Sequence, residues 1–269
     1  MVAFVLSGGM VTLNSLRAAD IQMFRTAIFL ISCCSGLWLA GAQAEPLRVV
    51  LEVSPPHQVV QGEKVGGLAT AVVEQMLSKA GLQPRYEVYP WARAYRIALN
   101  TPNVLIFNMA RTQEREALFE WIGPVARYRF GLLKLASRRD IQISQLTDLH
   151  RYLIGAQRDD FSAQWLRDGA KQPPAQLLLQ PDVVETWRML VHGRLDLMID
   201  DPMAIEDMLL AHQLAREDIE FVWFVPELAQ TTWIALKKGS DPGLIRRLKN
   251  AHQQVVQTPA YQAVMQPPQ

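Results

Sequence analysis

The chain has 269 residues, of which 49% are hydrophobic and 20% are charged, and its formal net charge is +1. This is an ordinary globular composition, with enough length for one large domain or two smaller lobes. The near-neutral balance, without a block of like charges, provides no long-range attraction for nucleic acid and argues against that class of partner.

The first predicted element is an export signal that ends at Ala44. Arg25 precedes an apolar run over residues 27–40, and the small residues Ala42 and Ala44 follow it. A basic start, an apolar run and an Ala-x-Ala ending are typical of a cleaved signal peptide. The apolar run is shorter than the roughly 20 residues that span a bilayer. We therefore predict that residues 1–44 are removed by a cut after Ala44 and that the mature chain is periplasmic.

Other interpretations of this segment remain open. The apolar run also resembles a membrane anchor or a buried first helix, and Leu30-Ile-Ser-Cys33 resembles a site of lipoprotein cleavage and lipidation. Apolar residues continue past Cys33, which favours the cut after Ala44, and translation from Met23 would give the same mature chain. Because Cys33 and Cys34 are the only cysteines, that mature chain would contain no disulfide and no cysteine-based metal site.

The mature chain opens with a strand–helix–strand–helix–strand pattern. Residues 46–53, 85–89 and 103–108 are β-branched, alternating or continuously apolar, which predicts three strands. Residues 68–80 and 90–99 have apolar side chains at helical spacing. Strands that alternate with helices predict a parallel sheet with helices on its faces.

A second α/β unit follows, and two extended stretches bracket it. The predicted elements of this unit are strands at 152–156, 176–180 and 195–199 and helices at 162–168, 181–192 and 202–214. Long extended runs at 121–135 and 221–236 lie on either side, and residues from Gly239 onward are predicted to be helical. Two α/β units with two extended connections predict two lobes, between which the chain crosses twice.

Several short segments stand in a characteristic order behind the export signal. They are Ser54-Pro-Pro-His57, Gly67-Leu68, Tyr89-Pro-Trp-Ala-Arg93, Ala110-Arg-Thr-Gln-Glu-Arg-Glu116 with Phe119-Glu-Trp-Ile-Gly-Pro124, Ile154-Gly-Ala156, Gly193-Arg-Leu-Asp-Leu-Met-Ile-Asp-Asp201 and Trp233-Ile-Ala-Leu-Lys-Lys-Gly-Ser-Asp-Pro242. In this order they resemble the bacterial extracellular solute-binding proteins of family 3, the periplasmic amino-acid-binding components of ABC transporters.

The resemblance covers residues 45–265 and implies an α/β, two-lobed periplasmic-binding-protein fold with two hinge crossings and a central ligand cleft. It places lobe 1 at 45–128 and 228–269 and lobe 2 at 129–227. A cleft between the lobes agrees with the general position of ligands beyond the carboxyl ends of parallel strands.

The resemblance assigns the ligand carboxylate to an arginine of lobe 1. The family holds it within a Thr-x-x-Arg element, which here is Thr112-Gln-Glu-Arg115, so the role falls on Arg115. Arg111 is an alternative, and either arginine could instead be paired on the surface with Glu114 or Glu116. An arginine fork suits a carboxylate because it donates two parallel hydrogen bonds. Asn108 stands where relatives often have serines, a departure from standard α-amino-acid recognition.

The resemblance assigns the ligand ammonium to an aspartate of lobe 2. Asp201 matches the family position, directly after a strand, and its neighbour Asp200 is predicted to point to the opposite face or to cap the next helix. The first turn of lobe 2 offers Arg158 as a second anion contact and Phe161 as an aromatic wall. In the same turn, Asp160 or Ser162 would cap the helix.

Two further side chains of lobe 1 are candidate ligand contacts. Trp91 either stacks on the ligand or packs in the core, and His57 lies near the expected cleft rim. The other histidines share no metal-ligand spacing, so no metal and no cofactor are expected.

The function implied by the resemblance is capture of a small polar, amino-acid-like ligand by hinge closure for ABC-type uptake. A membrane permease is the implied partner, and the protein is expected to act as a monomer and not as an enzyme. One alternative is a stand-alone periplasmic sensor. The other is a cyclohexadienyl-dehydratase-like enzyme on the same fold, in which Glu185 or Asp160 would supply the general acid.

Overall fold

The computed structural model describes residues 5–6, 9–10 and 45–266. The chain divides into two compact units, Met1–Ala44 and Glu45–Gln269. In the first unit, β1 (Val5–Leu6) pairs antiparallel with β2 (Gly9–Met10). The predicted export signal over residues 23–44, with Cys33, lies outside the described residues.

Strands and helices alternate from Glu45 onward. The first half contains β3 (Leu47–Leu51), β4 (Val59–Gln61), β5 (Lys64–Gly66), α1 (Leu68–Lys79), β6 (Pro84–Val88), α2 (Trp91–Asn100), β7 (Leu105–Ala110), α3 (Gln113–Glu116), β8 (Phe119–Tyr128) and β9 (Gly131–Leu135). The second half contains β10 (Ile154–Gln157), α4 (Phe161–Asp168), β11 (Leu177–Gln180), α5 (Val183–Val191), β12 (Leu197–Asp200), α6 (Ile205–His212), β13 (Ile219–Phe224), β14 (Gln230–Lys237), α7 (Pro242–Val255) and α8 (Pro259–Met265). The strands and helices predicted for the two α/β units after Glu45 are confirmed, with small differences at their ends.

One of these differences has a local cause. The predicted helix from Pro202 begins only at Ile205, because a turn forms before it. In that turn the Asp201 carbonyl oxygen accepts from the Ala204 amide at 2.9 Å, and Asp201 Oδ1 accepts from the Met203 amide at 2.7 Å. An aspartate side chain that bonds its own backbone two residues on favours such a turn.

The strands form two five-stranded sheets. The first sheet has the order β6-β3-β7-β14-β8, in which β3 runs parallel to β6 and β7, and β14 runs antiparallel to β7 and β8. The second sheet has the order β11-β10-β12-β9-β13, in which β10 runs parallel to β11 and β12, and β9 runs antiparallel to β12 and β13. We call the first sheet with its helices the first lobe, and the second sheet with its helices the second lobe.

Each lobe buries apolar side chains on both faces of its sheet. In the first lobe, α1, α7 and α8 cover one face with residues such as Val72, Leu248 and Val264, and α2 covers the other with Ala94 and Ala98. In the second lobe, α4 covers one face, and α5 and α6 cover the other. Helices on both faces are the expected packing for a largely parallel sheet.

Two short links join the lobes. Residues 129–130 connect β8 to β9, and residues 225–229 connect β13 to β14. The links lie side by side, since the Val225 amide donates to the Phe130 carbonyl oxygen at 3.0 Å. Two adjacent short crossings are the arrangement of a hinge, which absorbs the backbone change when lobes open and close.

Candidate functional site

The candidate site is a cavity between the two lobes, at the carboxyl ends of several parallel strands. Its volume is about 70 Å³, which holds a few water molecules. Side chains of the first lobe that line it include Glu52, Asn108 and Tyr128, and those of the second lobe include Asp160 and Asp200. Because both lobes contribute, the site is complete only when they are together.

The first-lobe wall is built around Asn108, which lies on β7 with a positive φ of 64°. Asparagine tolerates this left-handed conformation better than most residues. Its side-chain oxygen accepts from Thr232 Oγ1 at 2.8 Å, while its amide nitrogen donates to Gln58 Oε1 at 3.2 Å and to the Tyr128 hydroxyl. Burial raises the pKa of Tyr128 well above its ordinary value. The network fixes both side chains at the cavity surface.

Glu52 follows β3 and reaches across to the second lobe, where the Gln157 side-chain amide donates to its carboxylate. The pKa of Glu52 is raised to about 8, chiefly by burial and to a smaller extent by the neighbouring carboxylates of Asp160 and Asp182, against the lowering effect of the Gln157 hydrogen bond. A carboxylic acid with such a pKa is poised to change charge near neutral pH.

Two acids of the second lobe complete the lining. Asp160 is the N-cap of α4, where one carboxylate oxygen accepts from the Ser162 amide at 3.2 Å and from Ser162 Oγ at 2.6 Å. Asp200 ends β12, where its carboxylate accepts from Trp187 Nε1 at 2.5 Å and from the Asp201 amide at 2.8 Å. Burial raises the pKa of Asp200 to about 7 despite these donors.

Arg115 and Trp91, both predicted ligand contacts, lie outside the cavity lining and join the lobes. Trp91 Nε1 donates to the Asp159 carbonyl oxygen at 3.0 Å, and Arg115 Nη2 donates to the same oxygen at 3.2 Å. A second Arg115 nitrogen, Nη1, donates to the Ala110 carbonyl oxygen at 3.2 Å. The guanidinium also lies over the rings of Trp91 and Tyr95, at 5.4 and 4.9 Å. Trp91 and Arg115 therefore form an interlobe latch on Asp159.

Asp201, the predicted ammonium contact, is buried beside the first interlobe link. Its Oδ2 accepts from the Arg129 amide at 2.6 Å, and its Oδ1 accepts from the Met203 amide. Burial raises its pKa, which these two amide donors counteract. Both carboxylate oxygens therefore accept hydrogen bonds from backbone amides near the hinge, and it is the neighbour Asp200 that lines the cavity.

His57 lies behind the cavity wall and not on its rim. The residue is fully buried, and its ring packs against Tyr128 with 4.6 Å between ring centroids. Within the described part of the chain, neither ring nitrogen has a hydrogen-bond partner. Burial without a partner lowers the pKa of His57 to about 4, so the ring supports Tyr128 as a neutral group.

The remaining predicted contacts divide between the surface and the cavity. Arg111 is exposed, pairs with Glu116 at 2.5 Å and lies over the Trp233 ring. Arg158 is also exposed and lies outside the lining. Asn108 and Phe161 do line the cavity, and they are the two members of the predicted set that the structure brings together there.

Sequence reasoning missed Glu52 and Asp200 as site residues, and it considered Asp160 only as a helix cap or a general acid. The sequence did contain an indication of Glu52 and Asp200, because Glu52 directly follows a buried strand and Asp200 ends one. The carboxyl ends of parallel strands are where ligands bind in open α/β sheets. Glu185, the other nominated general acid, forms an exposed pair with Arg188 at 2.5 Å, away from the cavity.

Neither a metal-ligand cluster nor a membrane-spanning helix occurs among residues 5–6, 9–10 and 45–266. No three His, Cys, Asp or Glu side chains there are grouped closely enough to bind a metal ion. In the same residues, no helix combines the length and apolar character needed to cross a membrane.

Comparison with known proteins gives a fold but no sequence family. No protein-family model matches the chain, and no curated protein matches it in sequence. Solved structures do match. One is a histidine kinase sensor domain with similarity to periplasmic binding proteins, with a TM-score of 0.70 and 15% identity over 82% of this chain and 94% of that one.

Two further matches are amino-acid-binding proteins. An ancestral arginine-binding protein bound to arginine has a TM-score of 0.68 and 16% identity, over 82% of this chain and 96% of that one. The arginine-, lysine- and histidine-binding protein of Geobacillus stearothermophilus has a TM-score of 0.69 and 15% identity, over 84% and 97%. The chain therefore has the two-lobed α/β fold of periplasmic binding proteins.

Proposed function

We propose that this chain is a periplasmic solute-binding protein that captures a small polar, amino-acid-like ligand by hinge closure. The observation that carries the proposal is the interlobe cavity, to which each lobe contributes polar side chains. Hydrogen bonds join the lobes both within the cavity lining and beside it. The fold of the matched binding proteins supports it, since two of them bind amino acids.

Binding proceeds in two steps in this proposal. The ligand first meets the first-lobe wall of Asn108 and Tyr128, and rotation about the two links then brings in Asp160 and Asp200 of the second lobe. Closure excludes water and forms the contacts of Asp159 with Trp91 and Arg115. The closed form then delivers the ligand to a membrane permease for ABC-type uptake, with the protein acting as a monomer and after export by a signal cut after Ala44.

A thermal-shift screen tests the binding role. The full-length chain is expressed in a Gram-negative host, purified from the periplasmic fraction and heated with amino acids, opines, polyamines and small carboxylates. A ligand at 100 times its Kd adds about 2.7 kcal/mol of stability, which raises the Tm of a domain of this size by about 5–10 °C. A shift with one chemical class supports the proposal, whereas no shift with any compound contradicts it. N-terminal sequencing of the same protein tests the cut after Ala44.

A sensor is the second candidate function, because one matched structure is the sensor domain of a histidine kinase. A sensor would bind the same ligand in the same cavity but pass its closed state to a membrane receptor. Uptake of radiolabelled ligand by cells with and without the gene separates the two functions. Loss of uptake supports transport, and unchanged uptake with loss of a transcriptional response supports sensing.

A further inference from the structure

The charged side chains that line the cavity are all acidic. Glu52, Asp160 and Asp200 contribute carboxyl groups, and no lysine, arginine or histidine is among the described lining residues. Buried or half-buried acids without a basic partner favour a ligand that brings its own positive charge.

The aromatic side chains of the lining point to the same ligand chemistry. Tyr128 and Phe130 stack with their rings 5.2 Å apart and nearly parallel, and Phe130 meets Phe161 edge to face at 5.1 Å. All three rings line the cavity. Aromatic rings attract organic cations through their negative faces, and the attraction is stronger where water is excluded. This observation is independent of the carboxyl groups.

The cavity carboxyl groups do not match a bare metal ion. Among the described residues, Glu52, Asp160 and Asp200 are not grouped closely enough to share a metal. Acids that come from both lobes, in a cavity that aromatic rings also line, suit a cation with several atoms and more than one donor.

A ligand carboxylate has no basic partner in the closed cavity. Arg115, the residue expected to hold it, is 6% exposed and directs both terminal nitrogens to backbone carbonyl oxygens. One of these oxygens belongs to Asp159 of the second lobe, so closure itself occupies the guanidinium. Arg111 and Arg158 lie outside the lining. A carboxylate facing Glu52, Asp160 and Asp200 would meet acidic groups and no cationic side chain of the described lining.

We propose that the cavity binds a small organic ammonium or guanidinium compound that lacks an α-carboxylate, the chemistry of a decarboxylated basic amino acid. This inference rests on the proposed solute-binding function and names the ligand class of the same site. The cation contacts Glu52 from the first lobe and Asp160 and Asp200 from the second, and the ligand thereby bridges the lobes. With the ligand bound the lobes stand slightly farther apart than in this structure, because a cavity of about 70 Å³ holds only a few water molecules.

Proton release is a direct consequence of this ligand chemistry. Burial raises the pKa of Glu52 to about 8 and that of Asp200 to about 7, so both groups hold part of a proton near neutral pH. The groups that face Glu52 are Gln157, Asp160 and Asp182, and those that face Asp200 are Trp187 and Asp201. None of these is a cation, so an incoming cation lowers both pKa values and displaces protons.

Matched ligand pairs test the proposal. Isothermal titration calorimetry at pH 8 compares agmatine with arginine and cadaverine with lysine, since each pair differs only in the α-carboxylate, and glutarate serves as a dianion of similar length. We expect at least one amine to bind ten times more tightly than its amino acid and glutarate not to bind. An amino acid that binds as tightly as its amine, or no binding by either amine, overturns the ligand class.

The same data separate failure of this inference from failure of the proposed function. Binding of an amino acid, or of any compound in the wider thermal-shift screen, keeps the solute-binding role and removes only the cation assignment. Absence of binding in the whole screen removes both. For a bound amine, titration in two buffers with different ionisation enthalpies is expected to show proton release.

Charge-removing variants assign the binding to the cavity. Glu52→Gln is expected to weaken amine binding at least tenfold, and Glu63→Gln, an exposed acid in the β4–β5 turn, is the matched control without effect. Asp160→Asn is a second variant that retains the helix cap, because asparagine caps as well as aspartate. Unchanged affinity in both cavity variants, with folding verified by circular dichroism, overturns the proposal.

Discussion

Replacement of Trp91 by phenylalanine tests whether the latch on Asp159 controls closure. The indole is 4% exposed, and its Nε1 donates to the Asp159 carbonyl oxygen at 3.0 Å, across the gap between lobes. Phenylalanine keeps an aromatic ring on the first lobe but removes this donor. The packing contacts that the smaller ring loses lie within the first lobe. Because the variant loses them in the open form and in the closed form alike, they do not change the equilibrium between the two forms.

The magnitude follows from what remains at the acceptor. Arg115 still donates to the same carbonyl oxygen, so the substitution leaves no buried group unsatisfied. The expected cost is therefore the net value of one neutral hydrogen bond, about 0.5–1.5 kcal/mol. Such a change reduces the ratio of closed to open protein about 2- to 13-fold. The free energy of unfolding is affected through packing, but closure is affected only through the latch.

Spin labels on the two lobes measure the ratio. Residues 45–269 contain no native cysteine, so Arg96→Cys on α2 and Arg167→Cys on α4 provide two exposed and unique attachment sites. Pulsed electron paramagnetic resonance then resolves the short closed distance from the long open one. Trp121→Phe is the control, because Trp121 Nε1 donates at 3.4 Å to the Glu116 carbonyl oxygen of its own lobe. An equal closed fraction in the two variants would refute the latch.

Two further predictions concern stability. Gly123→Ala is expected to lower the Tm by several degrees, since the new Cβ would lie 2.2 Å from the His252 ring and overpacking costs about 1–3 kcal/mol. Gly66→Ala is the control in the same melting experiment. A Cβ at Gly66 has nothing within 4 Å, so the Tm should remain almost unchanged. Glu52 has its pKa raised from 4.5 to about 8 by folding, so its contribution to stability is lost as the pH rises from about 4.5 through 8. Urea denaturation of the ligand-free protein should therefore show that the free energy of unfolding decreases less between pH 6 and pH 9 in Glu52→Gln than in wild type. Identical decreases would contradict the raised pKa of Glu52.

The secondary structure could be predicted from the sequence, because strands and helices depend mainly on residues that are close together along the chain. Apolar periodicity and turn residues determined most element ends, and the order of elements predicted parallel sheets with helices on their faces. Each sheet is in fact mixed, because β14 in the first and β9 in the second run antiparallel to both neighbours. The late start of α6 at Ile205 was missed, because it depends on which hydrogen bonds the Asp201 side chain makes.

The direction of side chains in the cleft was less accessible. Arg115 and Asp159 are 44 positions apart, and only the relative placement of the lobes decides whether the guanidinium faces a ligand or a backbone carbonyl. The family resemblance drew attention to charged residues within motifs, whereas Glu52 belongs to none of the segments that carry the resemblance. A search for polar residues directly after buried strands would have found it.

The order of strands in the first sheet has a consequence for synthesis. The second sheet uses one uninterrupted stretch, residues 131–224, whereas β14 lies between β7 and β8 in the first sheet, with Trp233 opposite Met109. Every strand of the second lobe is therefore made before the last strand of the first. The lobe that leaves the ribosome first is completed last, and the chain remains without a finished first sheet until residues 230–237 have emerged.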